Sequence, residues 1–182
     1  LCKAHEGGAR DMEWAKKNCL AKTCVYISLT SNVKVGVTRY SHIPSRWIDQ
    51  GAHYAIKLAA TPNRYLAGMI EIELSKYMSD RTKWRQMIQG KYEMVDLLDT
   101  KNELLSKIPK EYQEHIIQEN NLVELQYPMI DTPEKIKSFN LDKNPKLSGT
   151  LTGAKGQYII IDNQIALNIR KYTGYFITID YE

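Results

Sequence analysis

Apolar and polar positions along this chain change period several times, and each change marks an element. Residues 23–29, Thr-Cys-Val-Tyr-Ile-Ser-Leu, are rich in β-branched and aromatic side chains and predict a strand. Thr30-Ser-Asn32 is turn chemistry, and residues 33–38 (Val-Lys-Val-Gly-Val-Thr) predict a second strand, so the two form a hairpin. Pro44 suits the first turn of a helix that carries Arg46 and Trp47 and that Gly51 closes. Residues 54–60 predict a third strand. After Pro62-Asn63, the positions Leu66, Met69, Ile70, Leu74 and Met78 recur at helical spacing over residues 65–78, with Glu71 beside the apolar stripe.

The flanks read differently. Residues 1–22 are polar, with Gly7-Gly8 as a turn and one short helix from Met12 to about Lys17 that Asp11 is suited to cap. Residues 79–120 are charge-rich and predict helices over 81–88, 93–107 and, past Pro109, 111–118. Pro128, Pro133 and Pro145 punctuate a loop-rich linker. From Leu147 the pattern turns to β, with strands expected around 147–152, 157–161, 165–170 and 175–179 and a turn at Asp162-Asn163. Such short strands are too few to close a barrel alone, so they are expected to pair with the central module, another chain or a segment upstream. The fold class is α+β, organised as an N-terminal Cys/His-containing segment (1–24), a small sheet flanked by helices (25–90), a helical connector and linker (91–146) and a β-rich C-terminal part (147–182).

Composition changes this picture little. The 182 residues are 43% hydrophobic and 25% charged, as in ordinary globular proteins. No run approaches the roughly 18 apolar residues of a membrane helix, and no secretory signal opens the chain. Three cysteines, Cys2, Cys19 and Cys24, argue against a disulfide scaffold and for a reducing compartment, hence the cytoplasm. The chain opens on Leu1 rather than Met, which leads us to expect an upstream piece that shares in the function.

Charge changes the picture more. Between Val25 and Arg64, the cations Lys34, Arg39, Arg46, Lys57 and Arg64 face the single acid Asp49, so this stretch alone accounts for the net charge of +4. A basic excess on one module is the footprint of a phosphate-binding face, although a solvated basic surface gives the same count. Within it, the hairpin brings Tyr26 and Lys34 near one another, and Gly36 allows close approach to the strand. Arg46 offers a forked cation to a phosphate, and Glu71 a carboxylate to a divalent metal such as Mg²⁺ or Mn²⁺. Phosphodiester cleavage requires these parts. Arg39, Trp47 and Lys57 are the further candidates for nucleic-acid contact. Tyr40 and His53 are spare candidates, and Glu73 is the alternative to Glu71.

Two other sets carry possible chemistry. Cys2-Lys-Ala-His5 is a C-x-x-H pair, and with Cys19 and Cys24 downstream it offers soft ligands for zinc at Cys2, His5 and Cys19. Buried thiols give the same pattern. Trp14, Trp47 and Trp84 suit core or rim positions better than base stacking. Tyr158, Arg170, Tyr172 and Tyr175 form a basic and aromatic set of the kind sheets present to single-stranded nucleic acid, though tyrosine is also simply a good β-former.

The strings Val25-Tyr-Ile, Val33-Lys-Val-Gly-Val-Thr-Arg39, Arg46-Trp47 and Ala67-Gly-Met-Ile-Glu71-Ile-Glu-Leu74 resemble the GIY-YIG nuclease superfamily over residues 25–78. More narrowly, Lys34-Val-Gly-Val-Thr-Arg39, Arg46-Trp-Ile-Asp-Gln-Gly-Ala52 and Lys155-Gly-Gln-Tyr158 resemble a bacterial domain-of-unknown-function family across nearly the whole chain. The superfamily resemblance implies that Tyr26 is the first-motif tyrosine, Arg46 the arginine that steadies the scissile phosphate and Glu71 the metal-binding glutamate. It also marks two departures. Lys34 stands where the second-motif tyrosine is expected, and Val25 replaces the first-motif glycine. The reading is a nucleic-acid-binding protein with metal-dependent phosphodiesterase chemistry, Lys34 serving as substitute base. Its rivals are an inactive binding module on the same fold and a structural or regulatory protein that uses the β part for pairing.

Overall fold

The computed structural model describes residues 2–78 and 82–181, an α+β chain that divides into two compact units, Leu1–Gln126 and Tyr127–Glu182. In the first unit, helix α1 (Met12–Asn18) begins where Asp11 accepts a hydrogen bond from the Trp14 amide at 2.9 Å. Strands β1 (Thr23–Leu29) and β2 (Val33–Arg39) form the expected hairpin. Helix α2 (Ser45–Asp49) ends before Gly51, whose φ of +70° is the left-handed conformation that closes helices. Strand β3 (Tyr54–Thr61) leads to α3 (Arg64–Ser75), capped by the Asn63 side chain on the Leu66 amide at 3.0 Å. Strand β4 (Val123–Glu124) completes an antiparallel sheet ordered β2-β1-β3-β4.

The two faces of this sheet are buried by different partners. Val25, Ile27 and Leu29 of β1 point to one side, where Ala67, Ile70 and Leu74 of α3 pack together with Leu97 and Leu104 of helix α5 (Leu97–Leu105). Cys24 and Tyr26 point to the other, against Trp47 of α2, Ala52 and Ala55. Because both faces are covered, β1 is buried at every position rather than alternating.

The charge-rich stretch is less helical than its pattern predicts. Of the helix expected over 81–88, α4 spans Trp84–Ile88, and Arg81 lies outside the described residues. The segment past Pro109 is a 3-10 helix, Lys110–His115, instead of a full α-helix. Lys101 of α5 is fully buried, its ammonium donating to the Glu119 carbonyl at 2.7 Å.

In the second unit the C-terminal strands pair among themselves. β5 (Lys137–Ser138), β6 (Leu151–Lys155), β7 (Tyr158–Ile161) and β8 (Ile165–Asn168) form their own sheet in the order β5-β8-β7-β6, with β5 and β8 parallel. The short β5, inside the stretch read as linker, is the strand that pattern reading missed. Asp162 and Asn163 take positive φ in the β7–β8 turn, as their chemistry predicts. The strand expected at 175–179 is not one. Those residues are irregular, and Phe176, Ile177 and Ile179 are exposed because no described strand lies alongside.

Candidate functional site

Tyr26, Arg46 and Glu71 come from β1, α2 and α3 and lie within electrostatic reach of one another. Register sets Tyr26 opposite Gly36 on one side and Lys57 on the other. The phenol lies across Gly36 so closely that a methyl group there would stand 2.7 Å from Oη and 2.8 Å from Cζ. Glycine is therefore required by the ring. The hydroxyl donates to Gln50 Oε1 at 3.1 Å, and the Arg46 guanidinium stands within hydrogen-bonding reach of it. Burial raises the tyrosine's pKa above its ordinary value, with Arg46 and Gln50 opposing and the Glu71 charge adding to the rise. Tyr26 is thus a neutral phenol at physiological pH.

Trp47 holds this arrangement from beneath. It is 1% exposed and packs edge-on against Tyr26 with ring centroids 5.8 Å apart, which anchors the short α2 and lets its neighbour Arg46 emerge half-buried. An indole so enclosed cannot stack on a base, so the expected nucleic-acid contact at Trp47 is replaced by a supporting role. Its Nε1–H has no partner among the described residues.

Glu71 is half-buried, and burial lifts its carboxyl above the usual range while the Arg64 and Arg46 guanidiniums pull the other way. It forms no ion pair within 4.0 Å among the described residues, whereas Glu73 is held by Lys76 at 2.5 Å on the helix surface. That contrast separates the two alternatives. Glu71 feels the two arginines, and Glu73 is paired with Lys76.

The remaining candidates are distributed elsewhere. Lys34 donates to Thr82 Oγ1 at 2.9 Å and ties the residue after the undescribed stretch to the hairpin. Arg39 donates to Asn18 Oδ1 and approaches His42 at 3.4 Å. Lys57 donates to the Tyr40 hydroxyl at 3.0 Å. His53 lies against Tyr92, ring centroids 4.4 Å apart. In the second unit, the Tyr172 hydroxyl accepts from the Leu141 amide and Tyr175 donates to Asp142, so the tyrosines expected to present a flat platform are tied into local turns. Gln50 and Arg64 are the residues sequence reasoning left without a role. Gln50 was legible only as part of the Arg46–Ala52 string, four positions and hence one helical turn after Arg46.

At the N-terminus the Cys2 and Cys19 thiols come together. Burial and Cys2 raise the Cys19 pKa, with Arg64 and Arg39 opposing. His5 instead stacks on Tyr65, centroids 3.9 Å apart, and Cys24 is buried in the sheet. Among the described residues no group of three His, Cys, Asp or Glu side chains is placed to hold a metal. A cleft of about 500 Å³ opens beside the thiols, lined by Arg10, Asp11 and Trp14 among others.

The chain belongs to the family described as "Protein of unknown function (DUF2797)", whose model matches residues 1–177. No curated protein and no solved structure matches it. No helix among the described residues is long and apolar enough to cross a membrane.

Proposed function

We propose that this protein binds nucleic acid through the face bearing Arg46 and hydrolyses phosphodiesters there in the manner of a GIY-YIG nuclease. The observation that carries the reading is the convergence of Tyr26, Arg46 and Glu71 from three separate elements. A bland basic surface has no reason to gather a buried phenol, a guanidinium and a carboxylate. The resemblance over residues 25–78 names the same three positions.

In this reading Arg46 grips the scissile phosphate, and its charge favours the extra negative charge of the pentavalent transition state. The Tyr26 hydroxyl donates its hydrogen bond to Gln50, which leaves the oxygen's lone pairs for Arg46 and for a water approaching the phosphorus. Water forms the new P–O bond as the ester P–O bond breaks, and the proton the water releases ends on the departing oxygen. Arg64 is a second cation on the Glu71 side. Glu71 fits a magnesium or manganese ion, being an oxygen donor with no ion pair among the described residues; Mg²⁺ typically takes one or two carboxylates and completes its shell with substrate phosphate and water. When bound, the ion would supply Lewis-acid polarisation of the phosphodiester. Lys34, committed to Thr82, contributes position rather than a base.

The test is cleavage of single- and double-stranded DNA and RNA with Mg²⁺ or Mn²⁺ by the wild type, Glu71→Ala and Arg46→Ala. Hydrolysis that Glu71→Ala abolishes is the expected result. Equal activity in wild type and Glu71→Ala refutes the mechanism. Salt-sensitive binding without cleavage by any protein identifies a binding module that keeps the fold and not the chemistry.

A further inference from the structure

We infer that Lys22, Tyr40 and Lys57 form a second anion subsite beside the Tyr26–Arg46 centre, one that takes a non-scissile phosphate of the same nucleic-acid strand. The inference rests on the proposed phosphodiesterase reading and extends the ligand from a single phosphate to a strand.

The geometry is that of three donors gathered on one ring. Lys22 Nζ lies 4.3 Å and Lys57 Nζ 4.8 Å from the Tyr40 ring centroid, so the two ammonium groups are no more than about 9 Å apart. Lys57 also donates to the Tyr40 hydroxyl at 3.0 Å. That bond uses an oxygen lone pair, and the hydroxyl's own hydrogen has no acceptor among the described residues. Neither lysine forms an ion pair among the described residues. Lys22 is drawn to the Tyr40 ring and Lys57 to its hydroxyl, yet the two cations repel one another without a counter-charge. An anion set between them removes that repulsion and accepts the free O–H.

Position makes the anion a phosphate of a strand. Lys57 is the register partner of Tyr26 across β1 and β3. Lys22 precedes β1, its carbonyl accepting from the Tyr40 amide at 2.8 Å. Both charges are felt at the Cys24 thiol, which shares the Tyr26 face two residues away, a spacing of about 7 Å along a strand. The step from the scissile centre to the second subsite is thus of the order of the separation between neighbouring phosphates. A mononucleotide can fill one site, whereas a strand fills both.

The experiment measures binding of fluorescein-labelled 20-nucleotide DNA and RNA, each single-stranded and duplex, by anisotropy across a salt series. The proteins are the wild type, Lys22→Gln, Lys22→Gln/Lys57→Gln, and a Lys143→Gln/Lys146→Gln control in the second unit. Far-UV circular dichroism checks the fold of each, and exposed Lys22 provides a single variant that leaves the packing intact. Loss of the subsite reduces the magnitude of the slope of log K against log salt by about 1 in the double variant and weakens binding at low salt about tenfold. Lys22→Gln gives part of this, and the control none. A wild type that binds the oligonucleotide, with an unchanged slope in the double variant, overturns the subsite alone. A wild type that binds no oligonucleotide overturns the phosphodiesterase reading and the subsite together.

Discussion

Gly36→Ala is the smallest change that tests how the site is built. The added methyl carbon would stand 2.7 Å from Tyr26 Oη, 2.8 Å from Cζ and 3.2 Å from Cε2, where carbon contacts are comfortable only at about 3.5–4.0 Å. The ring must therefore retreat by roughly 0.7–1 Å. Trp47 stands edge-on to the ring and is itself 1% exposed, so little slack exists. A retreat of that size also stretches the 3.1 Å bond from the hydroxyl to Gln50 past useful length. Overpacking of this kind costs about 1–3 kcal/mol, and alanine recovers only about 0.4–1 kcal/mol by restricting the unfolded chain. The net expectation is a destabilisation of about 1–2 kcal/mol. All three tryptophans lie in the first compact unit, so urea unfolding followed by tryptophan fluorescence reports that unit alone. The decisive comparison is a double-mutant cycle with Tyr26→Val, which removes the ring. In that background Gly36→Ala should be neutral or stabilising, giving a coupling energy of at least about 1 kcal/mol. An equal cost in both backgrounds would show that Tyr26 is not seated on Gly36, and the placement of its hydroxyl by Gln50 and Arg46 would lose its basis.

Three further outcomes follow from buried groups. Burial pushes the Cys24 thiol up to about 12 from 9.0, against the pull of Lys57 and Lys22. The associated stability is fully present below pH 9 and is lost as pH rises toward 12, about 4 kcal/mol in all; Cys24→Ala should flatten that loss in alkaline urea titrations, and Ellman's reagent should label two of the three native thiols. Burial lowers Lys155 of the second unit to about 8 from 10.5, so that unit should gain stability as pH rises from about 8 toward 10.5. A methyl-labelled lysine NMR titration should show one resonance moving near pH 8 and missing in Lys155→Met, and uniform titration near 10.5 would contradict it. Gly51→Ala should cost about 1–3 kcal/mol in the same fluorescence assay, because φ there is +70° and a side chain would run into Met87; a cost under about 0.5 kcal/mol would mean that α4 does not close over the end of α2.

Much of the first unit was legible because its periods are local. The hairpin, α2 with Gly51 behind it, β3, and α3 with its Asn63 cap each carry their own signal within a few residues. What escaped depended on distant partners. Two residues, Lys137 and Ser138, become a strand only because β8 lies alongside, and no pattern of length two announces that. Residues 175–179 have the composition of a strand but no described neighbour to complete the ladder, and propensity without pairing does not make a sheet. Lys101 reads as solvated on a charged helix, yet its stem is enclosed and its ammonium finds a carbonyl eighteen positions on.

The site was legible by residue type and not by allocation. Five cations between Val25 and Arg64 gave the local charge excess, and counting treats them alike. The structure does not. Lys34 is tied to Thr82 and Arg39 to Asn18, so these two stitch the hairpin to its neighbours. Arg46 and Arg64 act on Glu71, and Lys57 joins Tyr40 and Lys22. The charge available to the proposed site is therefore three cations of the five plus Lys22, which lies just outside the counted stretch. Lys34, the position at which the superfamily pattern breaks, is among those with a structural task. A substitution of Lys34 should consequently move stability through the Thr82 contact more than it moves any chemistry at Tyr26. Under the proposed reading, lysine at the second-motif position braces the hairpin, and the chemistry is assigned to Tyr26, Arg46 and Glu71.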